Sequence, residues 1–151
     1  MKNTILTPTQ KSFLKSLSEN SVKYLIIGGY AVGYYGVPHM TRDLDIWVDT
    51  ASSNAEAILA ALKDFGIRYM FRESFETPDN VVQLGEPPDR IDILTSVNGI
   101  GFQEAYPHRE SLLLDDLIIP FIDAESLVKA KTGTGRARDL ADVEDLRRRD
   151  A

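Results

Sequence analysis

The sequence contains no cysteine among its 151 residues. Disulfide bonds and thiolate metal sites are therefore excluded, because both need cysteine sulfur. The chain also lacks a signal peptide and any run of about eighteen apolar residues, so we expect no association with a membrane. A cytoplasmic location is the default expectation for a chain with this composition.

Positive charge is scarce as well. The chain has 17 lysines and arginines against 23 aspartates and glutamates, which gives a formal net charge of −6 at pH 7. A broad nucleic-acid interface normally needs a basic surface, so this balance argues against one. A small nucleotide that arrives with its own metal ion is still compatible with it. The histidines His39 and His108 are solitary and have no cysteine partner, which argues against a zinc site.

Short apolar runs and amphipathic segments make up most of the chain, as is typical of an α/β protein. We predict a small mixed β-sheet with helices packed on it, in one domain over residues 1–151. Residues 72–80 are expected to form a polar loop, and residues 98–110 to be irregular. The predicted strands lie within residues 24–27, 41–49, 67–71, 81–85, 90–95 and 117–122.

Helix signals flank these strands. Thr7 or Thr9 would cap a first helix that has Pro8 in its first turn. Gly66 would end a later helix. The chain closes with a helical segment over residues 124–149. Its final helix should turn inward an apolar face formed by Leu140, Val143 and Leu146.

The stretch over residues 24–49 carries the most specific pattern. Its first residues, Tyr24–Ile27, are apolar and predict a buried strand. The strand stops at Gly28 and Gly29, where a bare backbone would let a triphosphate approach the amides that begin a helix over residues 30–36. The alternative for these glycines is a tight turn into which no side chain fits.

The strand that follows carries a pair of acidic residues, Asp43 and Asp45. Side chains alternate between the faces of a strand, so the two carboxylates share one face while Leu44, Ile46 and Val48 face a core. Neighbouring carboxylates repel each other and need a reason to lie together. A divalent cation that prefers oxygen ligands, such as Mg²⁺, Mn²⁺ or Ca²⁺, is the usual one.

The order of strand, Gly-Gly turn, helix and Asp-x-Asp strand resembles the nucleotidyltransferase fold of the DNA polymerase β type. The signature of that superfamily is Gly-Gly or Gly-Ser, a short linking segment, and then Asp-apolar-Asp-apolar. In this chain the first part of the signature lies in the sequence GGYAVGYYG, which begins at Gly28. The second part lies in TRDLDI, which contains Asp43 and Asp45. It is similar to small bacterial nucleotidyltransferases, among them antibiotic-modifying enzymes and toxins of the abortive-infection type.

The resemblance implies transfer of a nucleoside monophosphate from an NTP to an acceptor, with release of pyrophosphate. It implies two Mg²⁺ or Mn²⁺ ions held by Asp43, Asp45 and a third carboxylate. Asp92 lies in a later strand of the expected kind and is the candidate for that third ligand. Gly28 and Gly29 would cradle the phosphates.

Basic side chains supply further candidates. Lys131 and Arg136 lie in a segment similar to the closing segment of small bacterial relatives, and could bind the nucleotide phosphates. A solvated helix is the alternative for them. Arg42 would bind phosphate or neutralise the acidic pair. Asp49 is a weaker candidate ligand and fits a strand-end cap, and Trp47 fits the core or the rim of the site.

Two departures from the family pattern keep a second interpretation open. The chain has Gly-Gly where many catalytic members have Gly-Ser, and only a short helical tail where larger relatives bind their acceptor. The acceptor, whether a small molecule, a protein or an RNA end, would then bind across a homodimer or with a partner protein. The alternative function is a catalytically silent binding module in a toxin–antitoxin or regulatory pair. The identities of the NTP and the acceptor are left open.

Overall fold

A six-stranded mixed sheet forms the centre of the computed structural model, which describes residues 6–28, 30, 31, 35, 43–114 and 116–150. Its strands are β1 (Tyr24–Ile27), β2 (Leu44–Val48), β3 (Val81–Leu84), β4 (Ile91–Leu94), β5 (Glu110–Leu114) and β6 (Leu117–Phe121). Their order across the sheet is β3-β4-β2-β1-β6-β5. β2 runs parallel to β4 and β1 parallel to β6, while the other neighbouring pairs are antiparallel.

Helices connect and cover these strands. In the described part of the chain they are α1 (Pro8–Glu19), α2 (Ser52–Phe65), α3 (Glu73–Glu76), α4 (Phe102–Ala105), α5 (Ala124–Thr134) and α6 (Ala137–Asp150). A 3₁₀ turn, Tyr106–His108, follows α4. The prediction of an α/β fold with a small mixed sheet is therefore confirmed. The predicted helix over residues 30–36 lies mostly outside the described residues.

The helix ends follow the local sequence signals. Thr7 and Gln10 form a capping box at the start of α1: each side chain accepts a hydrogen bond from the other residue's backbone N–H, at 3.1 and 3.0 Å. Gly66 ends α2 in the left-handed region at φ +107°. Asp123 caps α5 by accepting a hydrogen bond from the backbone N–H of Ser126. Of the two threonines considered for α1, the cap is thus Thr7.

Strand β2 is buried on both faces. Leu44, Ile46 and Val48 lie in the core, as their alternation predicts. Trp47, on the same face as Asp45, is also fully buried and packs edge-to-face on Phe102, with ring centroids 5.2 Å apart. Trp47 is therefore a core residue. The face that carries the acidic residues is apolar farther along the strand.

The predicted strand over residues 67–71 is wrong. These residues form an irregular connection from α2 to α3, and Tyr69 and Phe71 are 76% and 73% exposed. Their alternating apolar pattern resembles a strand, but β3 and β5 form the two edges of the sheet instead. A strand needs a partner as well as a pattern.

Three further expectations need correction. Residues 98–110, expected to be irregular, contain α4 and the 3₁₀ turn and lead into β5, whose pairing partner β6 the local pattern cannot reveal. The polar loop over residues 72–80 contains α3, because Phe75 is fully buried and anchors it. Leu140 in α6 was expected to face inward but is 44% exposed, whereas Val143 and Leu146 are buried.

Within the described ranges, no helix is both long enough and apolar enough to cross a bilayer.

Candidate active site

Sheet register places two of the predicted acidic residues beside each other. β2 and β4 run parallel with Asp45 opposite Asp92, and neighbouring strands are about 4.8 Å apart. Asp43 lies immediately before β2, and its carboxylate is within ion-pairing distance of an arginine that also contacts Asp92. The three carboxylates form one group, named here the acidic cluster.

Gly28 lies directly against this cluster. Its φ of +70° belongs to the left-handed region that side chains rarely adopt. A Cβ at this position would come within 2.2 Å of Oδ2 of Asp45. Both the backbone conformation and the space therefore require glycine here. Gly29 lies outside the described residues, so its predicted contact with phosphate stays a prediction.

The carboxyl of Asp45 has a strongly raised pKa. Burial raises the pKa of its carboxyl to about 7, and the neighbouring charges of Asp92 and Asp43 add to the rise. The positive charges of Arg90 and Lys131 act in the opposite direction and do not cancel it. The carboxyl of Asp45 is thus much harder to ionise than that of an ordinary aspartate.

Arg90 is a site residue that the sequence pattern did not reveal. Its Nε donates a hydrogen bond to Oδ1 of Asp92 and its Nη2 donates one to Oδ2, both at 3.1 Å. The same Nε lies 3.8 Å from Oδ2 of Asp43. Its position two residues before Asp92, on the same face of the strand, is the signal that could have identified it.

The acidic cluster provides the right kind of ligands for a hard cation. Carboxylate oxygens are what Mg²⁺ and Mn²⁺ prefer, and the raised pKa of Asp45 marks a place where added positive charge is favourable. Within the described residues, no three acidic or histidine side chains are already arranged around one ion position. Both oxygens of Asp92 accept hydrogen bonds from Arg90. The donor atoms of the cluster are nevertheless of the kind that a divalent cation prefers.

Lys131 faces the cluster from α5. Its charge lowers the pKa of Asp45, as expected of a nearby cation. Its Nζ lies 3.1 Å from Oδ1 of Asp139 and 3.0 Å from Oδ2 of Asp142, and the side chain is only 10% exposed. Both partner carboxylates come from α6. Lys131 is therefore a fixed, charged group rather than a mobile surface lysine.

Arg136 belongs to the same network. Its Nε donates to Oδ2 of Asp139 at 2.7 Å, and its side chain is 65% exposed. Burial tends to raise the pKa of Asp139, but hydrogen bonds from Thr134 and Lys131 outweigh it and the pKa is lowered. Asp139 is thus an ionised carboxylate that holds the side chains of Lys131 and Arg136 in place.

A cavity of about 370 Å³ connects Asp45 of the acidic cluster with the basic side chains. Gly28 and Asp45 lie on one wall, Lys131 and Arg136 on another. The loops around Asn80 and Asn98 complete the lining. A second depression, of about 410 Å³ between α5 and α6, contains none of the acidic cluster. The first cavity is therefore the candidate active site.

Of the eight residues predicted for the site, the structure brings six together around this cavity and the acidic cluster: Gly28, Asp43, Asp45, Asp92, Lys131 and Arg136. The other two, Gly29 and Arg42, lie outside the described residues. Asp49 is separate: it is buried at the end of β2, where its Oδ1 accepts hydrogen bonds from the Ala51 N–H and the Gln103 side chain. It is occupied there as a structural cap.

Solved structures of similar shape carry the same fold. A proposed nucleotidyltransferase of Thermotoga maritima superposes with a TM-score of 0.62 at 14% identity, covering 95% of each chain. The lincosamide antibiotic adenylyltransferase LnuA, bound to lincomycin, gives 0.56 at 21% identity, covering 94% of this chain and 97% of LnuA. An antigenic nucleotidyltransferase-like protein of Paracoccidioides brasiliensis gives 0.51 at 13% identity, covering 93% of this chain and 77% of that one.

These similarities define the class of fold. The chain has the nucleotidyltransferase fold, as its Gly-Gly and Asp-x-Asp pattern indicated. No protein-family model matches the sequence, and no curated protein does.

Proposed function

We propose that this protein is a metal-dependent nucleotidyltransferase, which transfers a nucleoside monophosphate from an NTP to an acceptor and releases pyrophosphate. One observation supports this above the others: Asp45, paired in register with Asp92 and packed on Gly28, lies on the same cavity as Lys131. The site thus combines ligands for a cation with a cation for phosphate, on a fold shared with an adenylyltransferase.

Asp43, Asp45 and Asp92 would hold the metal, Mg²⁺ or Mn²⁺, as two ions. Bound there, the ions would polarise the phosphate oxygens and lower the pKa of the acceptor hydroxyl. The crowding of the three carboxylates supports this role. Burial raises the pKa of Asp45 most, repulsion by Asp92 and Asp43 adds to the rise, and a divalent cation would relieve that repulsion.

Lys131 and Arg136 would bind the triphosphate from the opposite wall. Asp139 keeps both side chains in place, so little conformational freedom is lost when phosphate binds. Arg136, the more exposed, is free to approach a phosphate with its remaining donors. Arg42, next to the acidic cluster in sequence, is proposed as a further phosphate ligand.

The acceptor is proposed to be a small hydroxylated molecule, ahead of a protein or an RNA end. LnuA, a lincosamide antibiotic adenylyltransferase, is matched over 97% of its length. A chain of this size can therefore carry the fold without a separate acceptor domain. A homodimer or a partner protein would supply any missing wall of the acceptor site.

A second candidate is a catalytically silent binding module in a toxin–antitoxin or regulatory pair. The bidentate contact of Arg90 with Asp92 favours it, because a third carboxylate neutralised permanently would not hold a metal. The two candidates differ in whether NTP and metal bind together.

Thermal melts with each of the four NTPs, with and without Mg²⁺, test the proposal. We expect one nucleotide with Mg²⁺ to raise the melting temperature more than the nucleotide and Mg²⁺ do separately. A ligand at 100 times its Kd adds about 2.7 kcal/mol to the free energy of unfolding. Asp45→Asn should abolish the joint effect, and Asp145→Asn, an exposed carboxylate on α6, should retain it. If no nucleotide stabilises the protein under any metal condition, the silent module becomes the better interpretation.

A further inference from the structure

Arg90 contacts two carboxylates of the acidic cluster, but the proposed nucleotidyltransferase function gives it no role. Its guanidinium makes two parallel hydrogen bonds to the carboxylate of Asp92, both at 3.1 Å, and lies 3.8 Å from Asp43. Bidentate pairs of this kind are among the stronger polar contacts in proteins. The same carboxylate oxygens are the ones a metal would need.

We propose that Arg90 is an internal counter-cation, which holds Asp92 and Asp43 in the metal-free protein and releases Asp92 when a divalent cation binds. The inference rests on the proposed function, because it concerns the same metal site. It goes further in assigning a competitive role to a residue that belongs to neither the carboxylates nor the phosphate ligands.

Competition follows from charge and geometry. A guanidinium keeps its proton in any ordinary buffer, so it cannot become neutral to make room for a cation. Both carboxylate oxygens of Asp92 accept hydrogen bonds from Arg90. A metal ion bound to these oxygens would therefore be repelled by the guanidinium charge at close range. Metal binding is therefore an exchange of one cation for another, and the apparent affinity is lower than the cluster alone would give.

The arginine side chain has room to leave while its backbone stays in place. The carbonyl oxygen of Arg90 accepts hydrogen bonds from the backbone N–H of Leu44 at 3.0 Å and from the side chain of Gln10 at 3.1 Å. Gln10 is fully buried. The side chain of Arg90, by contrast, is 32% exposed. A rotation of the guanidinium toward solvent would free Asp92 without disturbing β4.

Arg90 also explains how the protein tolerates the cluster without metal. Three carboxylates close together would repel one another. A permanent cation next to the other two reduces this repulsion. Removing Arg90 should therefore have opposite effects on the two states: a less stable metal-free protein and a tighter metal site.

The test is a titration of the full chain with Mn²⁺ alone, in which electron paramagnetic resonance measures the free ion. The variants are Arg90→Ala, Arg90→Gln and Asp45→Asn. Arg72→Ala is the matched control, since Arg72 pairs with two carboxylates, Glu56 and Glu76, away from the acidic cluster. A melt without metal measures the stability of each variant.

We expect Arg90→Ala to bind Mn²⁺ about tenfold more tightly than the wild type, which corresponds to about 1.4 kcal/mol. Arg72→Ala should be unchanged and Asp45→Asn should bind far more weakly. If Arg90→Ala does not fold, Arg90→Gln, which keeps a polar side chain without the charge, should show the same gain.

Equal or weaker Mn²⁺ binding after loss of Arg90, in a protein whose Asp45→Asn variant still loses the ion, would overturn the inference and leave the metal site intact. Weaker binding would make Arg90 a residue that positions Asp92 for the metal. Absence of Mn²⁺ binding in the wild type and in both Arg90 variants would overturn the inference and the metal-dependent function together.

Discussion

Asp45 is the residue at which burial, charge and packing compete most directly. It lies against the bare backbone of Gly28, beside Asp92 across the sheet, and within reach of the charge of Lys131. Burial and two like charges raise its pKa to about 7. A carboxylate whose ionisation is this unfavourable binds either a proton or a metal ion, and the pH decides between them.

The pH dependence of stability follows from this shift. With a folded-state pKa near 7 and an ordinary value of 3.8, folded protein holds a proton on Asp45 over a range in which the unfolded chain does not. The free energy of unfolding therefore decreases as pH rises through that range. We predict that Asp45→Asn, which cannot ionise, loses less stability than the wild type between about pH 4 and 7, in metal-free buffer.

Denaturant unfolding of both proteins at several pH values measures this difference. Parallel curves for the wild type and Asp45→Asn would show that the pKa of Asp45 is ordinary in the folded protein. Asp139, whose pKa is lowered, acts in the opposite direction and at more acidic pH, so it does not produce the same trend.

The sequence predicts which residues are candidate metal ligands better than it predicts which side chains contact them. The alternation of apolar and acidic residues is enough to place Asp43 and Asp45 on one face. Pairing of Asp45 with Asp92 depends on sheet register, and the choice of Arg90 for Asp92 depends on side-chain geometry. The sheet register is not contained in a local pattern. The pattern does place Arg90 on the same face as Asp92, two residues earlier, but it does not show that the two side chains pair.

At the scale of elements, the junction of α5 and α6 positions the basic wall of the cavity. Gly135 ends α5 in the left-handed region at φ +69°, and the chain turns directly into α6. Asp139, near the start of α6, then accepts hydrogen bonds from Lys131, Thr134 and Arg136. One carboxylate thus ties two helices together and fixes both proposed phosphate ligands.

Removal of that carboxylate should be costly. We predict that Asp139→Ala destabilises the protein by about 3 kcal/mol, because it leaves the buried charge of Lys131 with one partner fewer. Glu144→Ala, which removes an exposed carboxylate of the same helix, should change the free energy of unfolding by less than about 0.5 kcal/mol. Denaturant unfolding measures both. A similar small effect for the two variants would mean that the network contributes little to stability.

Elements with their own local signals are the ones that the sequence predicts well. The capping box at Thr7 and the left-handed Gly66 fix the start of α1 and the end of α2. Strand β5 and residues 67–71 were assigned incorrectly, because a strand is defined by the neighbour with which it pairs. The wrong prediction for Leu140 has a related cause. The spacing of apolar residues along a helix does not show which of them the rest of the protein covers.

At the scale of the whole molecule, the sheet brings residues from distant parts of the chain to one cavity. Gly28 follows β1, Asp45 comes from β2, and Lys131 comes from α5. Asp92, on β4, lies beside Asp45 in the sheet register. The fold could be predicted because the Gly-Gly and Asp-x-Asp elements occur in the order that the nucleotidyltransferase fold requires. The cavity could not, since its basic wall depends on how α5 and α6 pack. That residues 1–151 form one domain stays a prediction.

The acidic cluster and the basic wall are proposed to bind one metal-carrying nucleotide between them. A crystal structure of the protein soaked with each NTP and Mn²⁺ tests this proposal most directly, because manganese is located by its anomalous signal. We predict manganese at Asp45 and Asp92, with Arg90 turned away and the triphosphate extending toward Lys131 and Arg136. Manganese bound elsewhere, or a cavity that stays empty at saturating NTP, would contradict the proposed function.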